Sequence, residues 1–169
     1  MSVTRPGLQA FNAMDRDEAY RLARTWLDVP RWADFLAITR PFDDVGELEA
    51  TMVSASATIS DRELEQALAR HPRIGERGDA AKHDAEHSSR EQSGVDHGDA
   101  DLARRLEEGN RAYEERFGRV FIVRAAGRSG QDILEHLRHR LDNTDEAERA
   151  ATIDQLTQIA VLRMREVLS

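Results

Sequence analysis

The sequence contains no cysteine, which excludes disulfides, thiolate zinc sites and a cysteine nucleophile. It also lacks any apolar run approaching the ~18 residues of a membrane-spanning helix. There is no surplus of basic residues: Lys and Arg number 24 against 32 Asp and Glu, a formal net charge of −8. An acidic balance of that size counts against a broad phosphate-binding face, and so against a nucleic-acid partner. The first residues, MSVTRPGLQA, lack the apolar stretch of a secretory signal, and the final VLS is not a peroxisomal tripeptide. Aromatic residues make up 5% of the chain. Leu, Ile, Val and Phe together reach about 21%, just above the level at which chains fail to build a core. The core is therefore thin and must draw on most of the chain. The expectation is a soluble, cytoplasmic protein of 169 residues forming one domain over 1–169, with no membrane partner.

What the chain does have is helical periodicity. Asp15 and Glu18 are spaced as a capping box, followed by Ala19, Leu22, Ala23 and Trp26 at i, i+3, i+4, i+7. Pro30 suits a first helical turn, where no N–H is needed, and opens a helix with Trp32, Phe35 and Leu36 that must stop before Arg40-Pro41. A third helix spans roughly 46–58, with Leu48, Met52 and Val53 directed inward. Ser60 and Glu63 form the clearest capping box, and Pro72 disfavours helix at His71. Leu102, Leu106, Tyr113 and Phe117 mark a long helix closed by Gly118. Residues 129–141 and 144–168 complete the set. Val120-Phe121-Ile122-Val123 alone has strand-like composition, and one such run makes no sheet; it is a buried helix start or an extended connector. The predicted fold class is all-α, a single-domain helical bundle of at least six helices with a polar active-site segment.

That segment is 75–101, where Val95 is the one large apolar side chain among His83, His87, His97, Glu91 and Gln92. Its composition suits either a solvated insertion or a polar active-site stretch carried by a rigid scaffold. Within it, His83-Asp84-Ala85-Glu86-His87 fits H-x-x-E-H, a spacing that can place two metal ligands and a base on one helix face. A zinc peptidase would also need a third ligand and a cleft, so the pattern alone assigns no metal. Ser88 and Glu91 are spaced as an ordinary capping box.

Two residues outside the segment attract attention. His71, in HPRIGER, sits at a helix end beside a proline, and histidine is the usual side chain for proton transfer near neutrality. Arg163 lies on the last helix. At 100° per residue from Ile153, it falls at about 280°, between Ile159 at about 240° and Leu156 at about 300°. Arg165 falls at about 120°, on the opposite side. An inward guanidinium is either structurally paired or a fixed cation for a ligand carboxylate or carbonyl.

The order of these motifs carries a resemblance. HPRIGER, SSREQSGV, NRAYEERFGRVFIVRAAGRS, RLDNTDEAERA and IAVLRMREVL, with Phe11-Asn12-Ala13 and Arg40-Pro41-Phe42 before them, resemble the OHCU decarboxylase family of urate breakdown. The resemblance implies an all-α, cofactor-free and commonly dimeric enzyme with a small-molecule substrate. That activity converts 2-oxo-4-hydroxy-4-carboxy-5-ureidoimidazoline (OHCU) to S-allantoin and carbon dioxide. It also implies a catalytic pair, His71 and Glu91, no metal ligand, and substrate contacts from Pro72, Ser88, Gln92 and Arg163. The backbone of Ile122, Val123, Arg124, Ala125 and Ala126 is implied to line the substrate. Two other classes stand beside it. One is a zinc-dependent hydrolase using His83, Glu86 and His87; the other is a non-catalytic helical interaction module.

Overall fold

The computed structural model describes residues 7–74 and 100–168. Among them lie eight helices and no strand: α1 (Gly7–Ala13), α2 (Arg16–Trp26), α3 (Pro30–Thr39), α4 (Val45–Ser56), α5 (Asp61–Leu68), α6 (Ala100–Phe117), α7 (Gly130–Leu141) and α8 (Asp145–Leu168). The all-α expectation holds. The chain divides into two compact units, one of residues 1–67 with 157–169 and the other of residues 68–156.

In the first unit the helix boundaries follow the sequence punctuation. The Asp15 carboxylate accepts from the Glu18 N–H at 2.8 Å and starts α2. Pro30 occupies the first turn of α3, which ends at Thr39, two residues before Pro41. The Ser60–Glu63 box closes in both directions, at 2.9 and 3.2 Å. α2 packs on α3 and α3 on α4. Trp26, Trp32, Leu36, Leu48, Met52 and Leu64 are all but sealed from solvent, each contributing roughly 1.5–3 kcal/mol by burial. The Trp32 indole N–H is satisfied by the Met52 carbonyl at 3.2 Å.

Two details differ from the sequence reading. Val53 is 53% exposed. It follows the buried Met52 by one residue, about 100° round the helix, and Leu48 and Met52 already define the inward face. Phe35 is likewise half exposed, so α3 buries the Trp32–Leu36 stripe instead. The short α1, which periodicity does not announce, is held by tertiary bonds. The Asn12 amide pairs with both backbone groups of Phe42 at 2.9 Å, and the Arg40 guanidinium donates to the carbonyls of Phe11 and Met14 at 2.7 Å. The Phe11 ring stacks on Phe42 with centroids 6.5 Å apart.

The second unit is built on α6, α7 and the first half of α8. α6 ends at Gly118, whose φ of 71° is the left-handed geometry a C′ glycine supplies. Ser129 and Asp132 cap α7 reciprocally. Mid-helix Gly109 gives α7 room: a Cβ there would lie 2.4 Å from the Leu137 Cδ2. Leu102, Leu106, Tyr113, Ile133, Leu134 and Leu137 form the core with Phe121 and Val123. Residues 120–125 take no helix or strand pairing and are the extended connector, with Phe121, Ile122, Val123 and Ala125 buried.

Candidate active site

His71 follows α5 in a non-helical bend, half-buried, its N–H donating to the Leu68 carbonyl at 3.0 Å. Pro72 beside it is also half-buried. The two residues after them are tied to α6. Arg73 pairs with Glu114 at 2.8 Å, and the carbonyl of buried Ile74 accepts from the Asn110 amide at 3.1 Å. The segment that carries His71 is thus pinned immediately downstream by a helix some 40 residues along the chain. Neither Asn110 nor Glu114 stood out in the sequence.

The connector carries Ile122, Val123, Arg124, Ala125 and Ala126. Because it pairs with no strand, its buried backbone groups must find other partners. The Ile122 carbonyl accepts from Arg140 Nη1, the Arg124 N–H donates to Gln155 Oε1 at 2.9 Å, and the Ala125 carbonyl accepts from the Arg128 N–H at 3.1 Å. Arg140 is 5% exposed and Glu148 fully buried. The Glu148 carboxylate takes Arg140 Nε at 2.8 Å, the Tyr113 hydroxyl at 2.5 Å and the Asn143 amide at 3.0 Å. Burial, reinforced by the bond to Glu148, pushes the Tyr113 phenol up to about 12. Sequence reasoning missed this pair, although the signal was present. Measured from Ile133 at 100° per residue, Arg140 falls at about 340° and Leu137 at about 40°, so Arg140 points into the apolar face.

Around the connector the local charge is positive. The Nε atoms of Arg119, Arg124 and Arg128 are buried without a hydrogen-bond partner. Burial and the neighbouring Arg124 lower the Arg128 guanidinium, whose Nη1 lies against the His136 ring. Burial, with Arg128 next, holds His136 below its ordinary value, favouring the neutral ring there.

Arg163 is 2% exposed, as its helical angle requires, and its Nη1 donates to the Thr25 carbonyl at 3.3 Å. Arg165, on the opposite side, is solvent-accessible and pairs with Glu49. Arg163 belongs to the first unit, whereas His71, Pro72 and the connector belong to the second. Ser88, Glu91 and Gln92 lie outside the described residues, as do His83, Glu86 and His87. Among the described residues no group of three or more His, Asp or Glu is placed to hold a metal ion. No helix among them is long and apolar enough to cross a membrane. A surface cleft of about 550 Å³ lined by Arg16, Tyr20, Arg31 and Asp34 contains none of the predicted site residues. Its arginines are already paired, Arg16 with Asp34 and Arg31 with Glu63.

Comparison with known proteins agrees with the motif order. The chain is 29% identical over 164 residues to the 2-oxo-4-hydroxy-4-carboxy-5-ureidoimidazoline decarboxylase of Haloferax volcanii, covering 96% of each protein. It is 24% identical over 161 residues to the uric acid degradation bifunctional protein of Bacillus sp. (strain TB-90), covering 95% of this chain and 32% of that one. Among solved structures, an OHCU decarboxylase crystallised in the presence of (S)-allantoin superposes with a TM-score of 0.68 at 22% identity, covering 85% of this chain and 94% of that one. An (S)-allantoin synthase superposes with a TM-score of 0.71 at 17% identity, covering 96% and 54%. These two likenesses establish the fold. The OHCU decarboxylase family itself matches residues 12–165, nearly the whole chain, and the protein belongs to that family.

Proposed function

We propose that this chain is a carboxy-lyase that decarboxylates OHCU stereospecifically to S-allantoin in urate degradation, without a cofactor. The observation that carries the reading is the family match over residues 12–165, with the histidine–proline, S-x-x-E-Q and R-F-G-x-x-F-I motifs intact and in order. Loss of carbon dioxide leaves an electron pair on the ring carbon. The adjacent C=N or carbonyl of the substrate can delocalise that pair until one proton arrives on one face. His71 exchanges this proton, or the proton of the substrate hydroxyl, with Glu91 as its catalytic companion. Gln92 both donates and accepts, and a carboxylate accepts N–H bonds, so Glu91 and Gln92 suit the ureido and ring nitrogens. Ser88 and Pro72 complete the lining, together with the backbone of Ile122–Ala126.

Arg163 orients the substrate oxygens. Its burial supports that role, because an anchored guanidinium directs a ligand without needing to reorganise. Too firm a hold on the departing carboxylate would stabilise the ground state, so release against an apolar wall is the productive arrangement. The cations beside the connector favour an anionic substrate by the same electrostatics. The reading extends to a cytoplasmic homodimer that works as one domain over 1–169.

The test supplies freshly generated OHCU and follows the chirality of the allantoin. The spontaneous reaction yields a racemate, so an excess of the S enantiomer is the expected result and a racemate overturns the reading. The excess should survive exhaustive chelation. Activity lost to EDTA and restored by zinc would favour the hydrolase-type metal site at His83, Glu86 and His87 instead.

A further inference from the structure

The connector between α6 and α7 is buried backbone without a strand partner, so whatever pairs with it also sets its position. Two side chains do so on either side of Val123. Arg140 donates to the Ile122 carbonyl, and Gln155 Oε1 accepts the Arg124 N–H at 2.9 Å. In an extended run, the carbonyl of one residue and the N–H of the residue two further on share an edge. The two bonds therefore clamp one edge of Ile122-Val123-Arg124 and leave the main-chain N–H and carbonyl of Val123 on the other. Among the described residues, neither group of Val123 takes a partner.

We infer that Gln155 is a positioning residue for the decarboxylation, acting through the Arg124 backbone to hold the free edge of the connector in register with the substrate. The inference rests on the reading that the connector backbone lines the substrate. Arg140 supplies the second arm, but it is bound into the core by Glu148 and lies over the Phe121 ring, 4.7 Å from its centroid. Replacing it disturbs folding as well as position. Gln155 is the cleaner probe: it is half-buried, and the other bond of its side chain is a long 3.5 Å contact with exposed Asp154. Nothing in helix capping or core packing requires an amide at that position, whereas the Arg124 N–H requires an acceptor.

The experiment compares Gln155→Leu and Gln155→Glu in the full chain. Leucine keeps the volume and removes the acceptor; glutamate keeps an acceptor at the same reach. Displacement of a reacting group by about 1 Å can cost ~10²-fold, so Gln155→Leu should lower kcat/KM by about tenfold or more. The Tm should fall by no more than several degrees, as for one lost part-buried hydrogen bond, and amide exchange at Arg124 should accelerate. Gln155→Glu should restore kcat/KM to within about threefold and restore protection of that amide, because a carboxylate accepts the same bond. If the leucine variant fails to fold, Gln155→Ala makes the same comparison with less buried bulk. An active wild-type enzyme whose leucine variant has unaltered kcat/KM, or an Arg124 amide that exchanges no faster, overturns the positioning role and leaves the decarboxylase reading standing. A wild-type protein that gives racemic allantoin overturns the decarboxylase reading, and the positioning role with it.

Discussion

Replacing Glu148 with leucine should be among the most destabilising single changes in the protein. The carboxylate is fully buried and takes the guanidinium of Arg140, the hydroxyl of Tyr113 and the amide of Asn143. Removing it leaves a buried cation with the Ile122 carbonyl and the Thr152 hydroxyl as acceptors. Breaking a buried pair from one side costs about 3–5 kcal/mol. In a chain of this size each kcal/mol moves Tm by about 2–4 °C, so the expected drop is on the order of 10 °C. Glu148→Gln, which keeps the shape and one acceptor, should fall between the variant and wild type. The informative case is the double variant Arg140→Met with Glu148→Leu. It removes both charges and replaces them with apolar side chains, an exchange that is often neutral or stabilising. Against that stand the Ile122 carbonyl and the Tyr113 hydroxyl left without their partners, at about 1–3 kcal/mol each. The double variant should therefore be at least as stable as Glu148→Leu alone, with a coupling of about 2 kcal/mol or more between the sites. Urea unfolding at neutral pH, followed by the helical circular dichroism signal, reads wild type, these three variants and the single Arg140→Met that closes the cycle. The reasoning is refuted if Glu148→Leu costs less than about 1 kcal/mol, the level of an exposed pair. Simple addition of the two single costs would refute it equally.

His71→Asn should reduce turnover by ~10²–10⁴-fold, the scale of a lost acid–base group, with little change in Tm because the ring is only half-buried; unchanged turnover in a steady-state assay would remove His71 from the mechanism. Arg163→Met retains the apolar stem and removes a buried cation, so calorimetry should show S-allantoin binding lost while stability falls by about 1–3 kcal/mol, the scale of the Thr25 carbonyl left without its donor. Unfolding of that variant with binding intact in a refolded fraction would make Arg163 purely structural. The Tyr113 phenol, raised from 10.0 to about 12, should remain unionised in the folded protein across that interval. Its contribution to stability is complete below 10.0 and lost as pH rises through about 12. The phenolate absorbance of wild type minus Tyr113→Phe checks this, and ionisation near the ordinary value would contradict the burial.

Much of the helical scaffold was legible because local chemistry decides helix ends. Asp15, Ser60 and Ser129 supply acceptors to unpaired N–H groups, while Pro41 and Gly118 sit where a helix cannot continue. α1 was not legible for the opposite reason: seven residues with one buried side chain are held by Asn12 and Arg40, whose partners stand 26–30 residues away. The run from Val120 to Val123 has the composition of a strand and forms the extended connector, one of the two expected outcomes. β-branched and aromatic residues mark stiff, buried, extended backbone, and here the backbone is satisfied by side chains rather than by a neighbouring strand. Periodicity exposed Arg163 because a cation in an apolar arc is conspicuous. Arg140 carries the same signature on α7, but only its bonds to Glu148 and the Ile122 carbonyl reveal what it holds. Ser88, Glu91 and Gln92 rest on the motif alone, since they lie outside the described residues.

The arginines at the two ends of the connector have a consequence in the unfolded chain. Val-Phe-Ile-Val is uncharged, free of proline and rich in β-formers, the composition from which cross-β stacks grow when it is exposed. Arg119 precedes it and Arg124 follows it. Charges in those two places act as gatekeepers: stacking identical segments in register would bring guanidinium upon guanidinium at both ends of every strand. In the folded state each of these arginines leaves a buried Nε atom without a partner. What looks like poor economy in the native structure is the charge placement that opposes such stacking while the segment is still uncovered by α6 and α7.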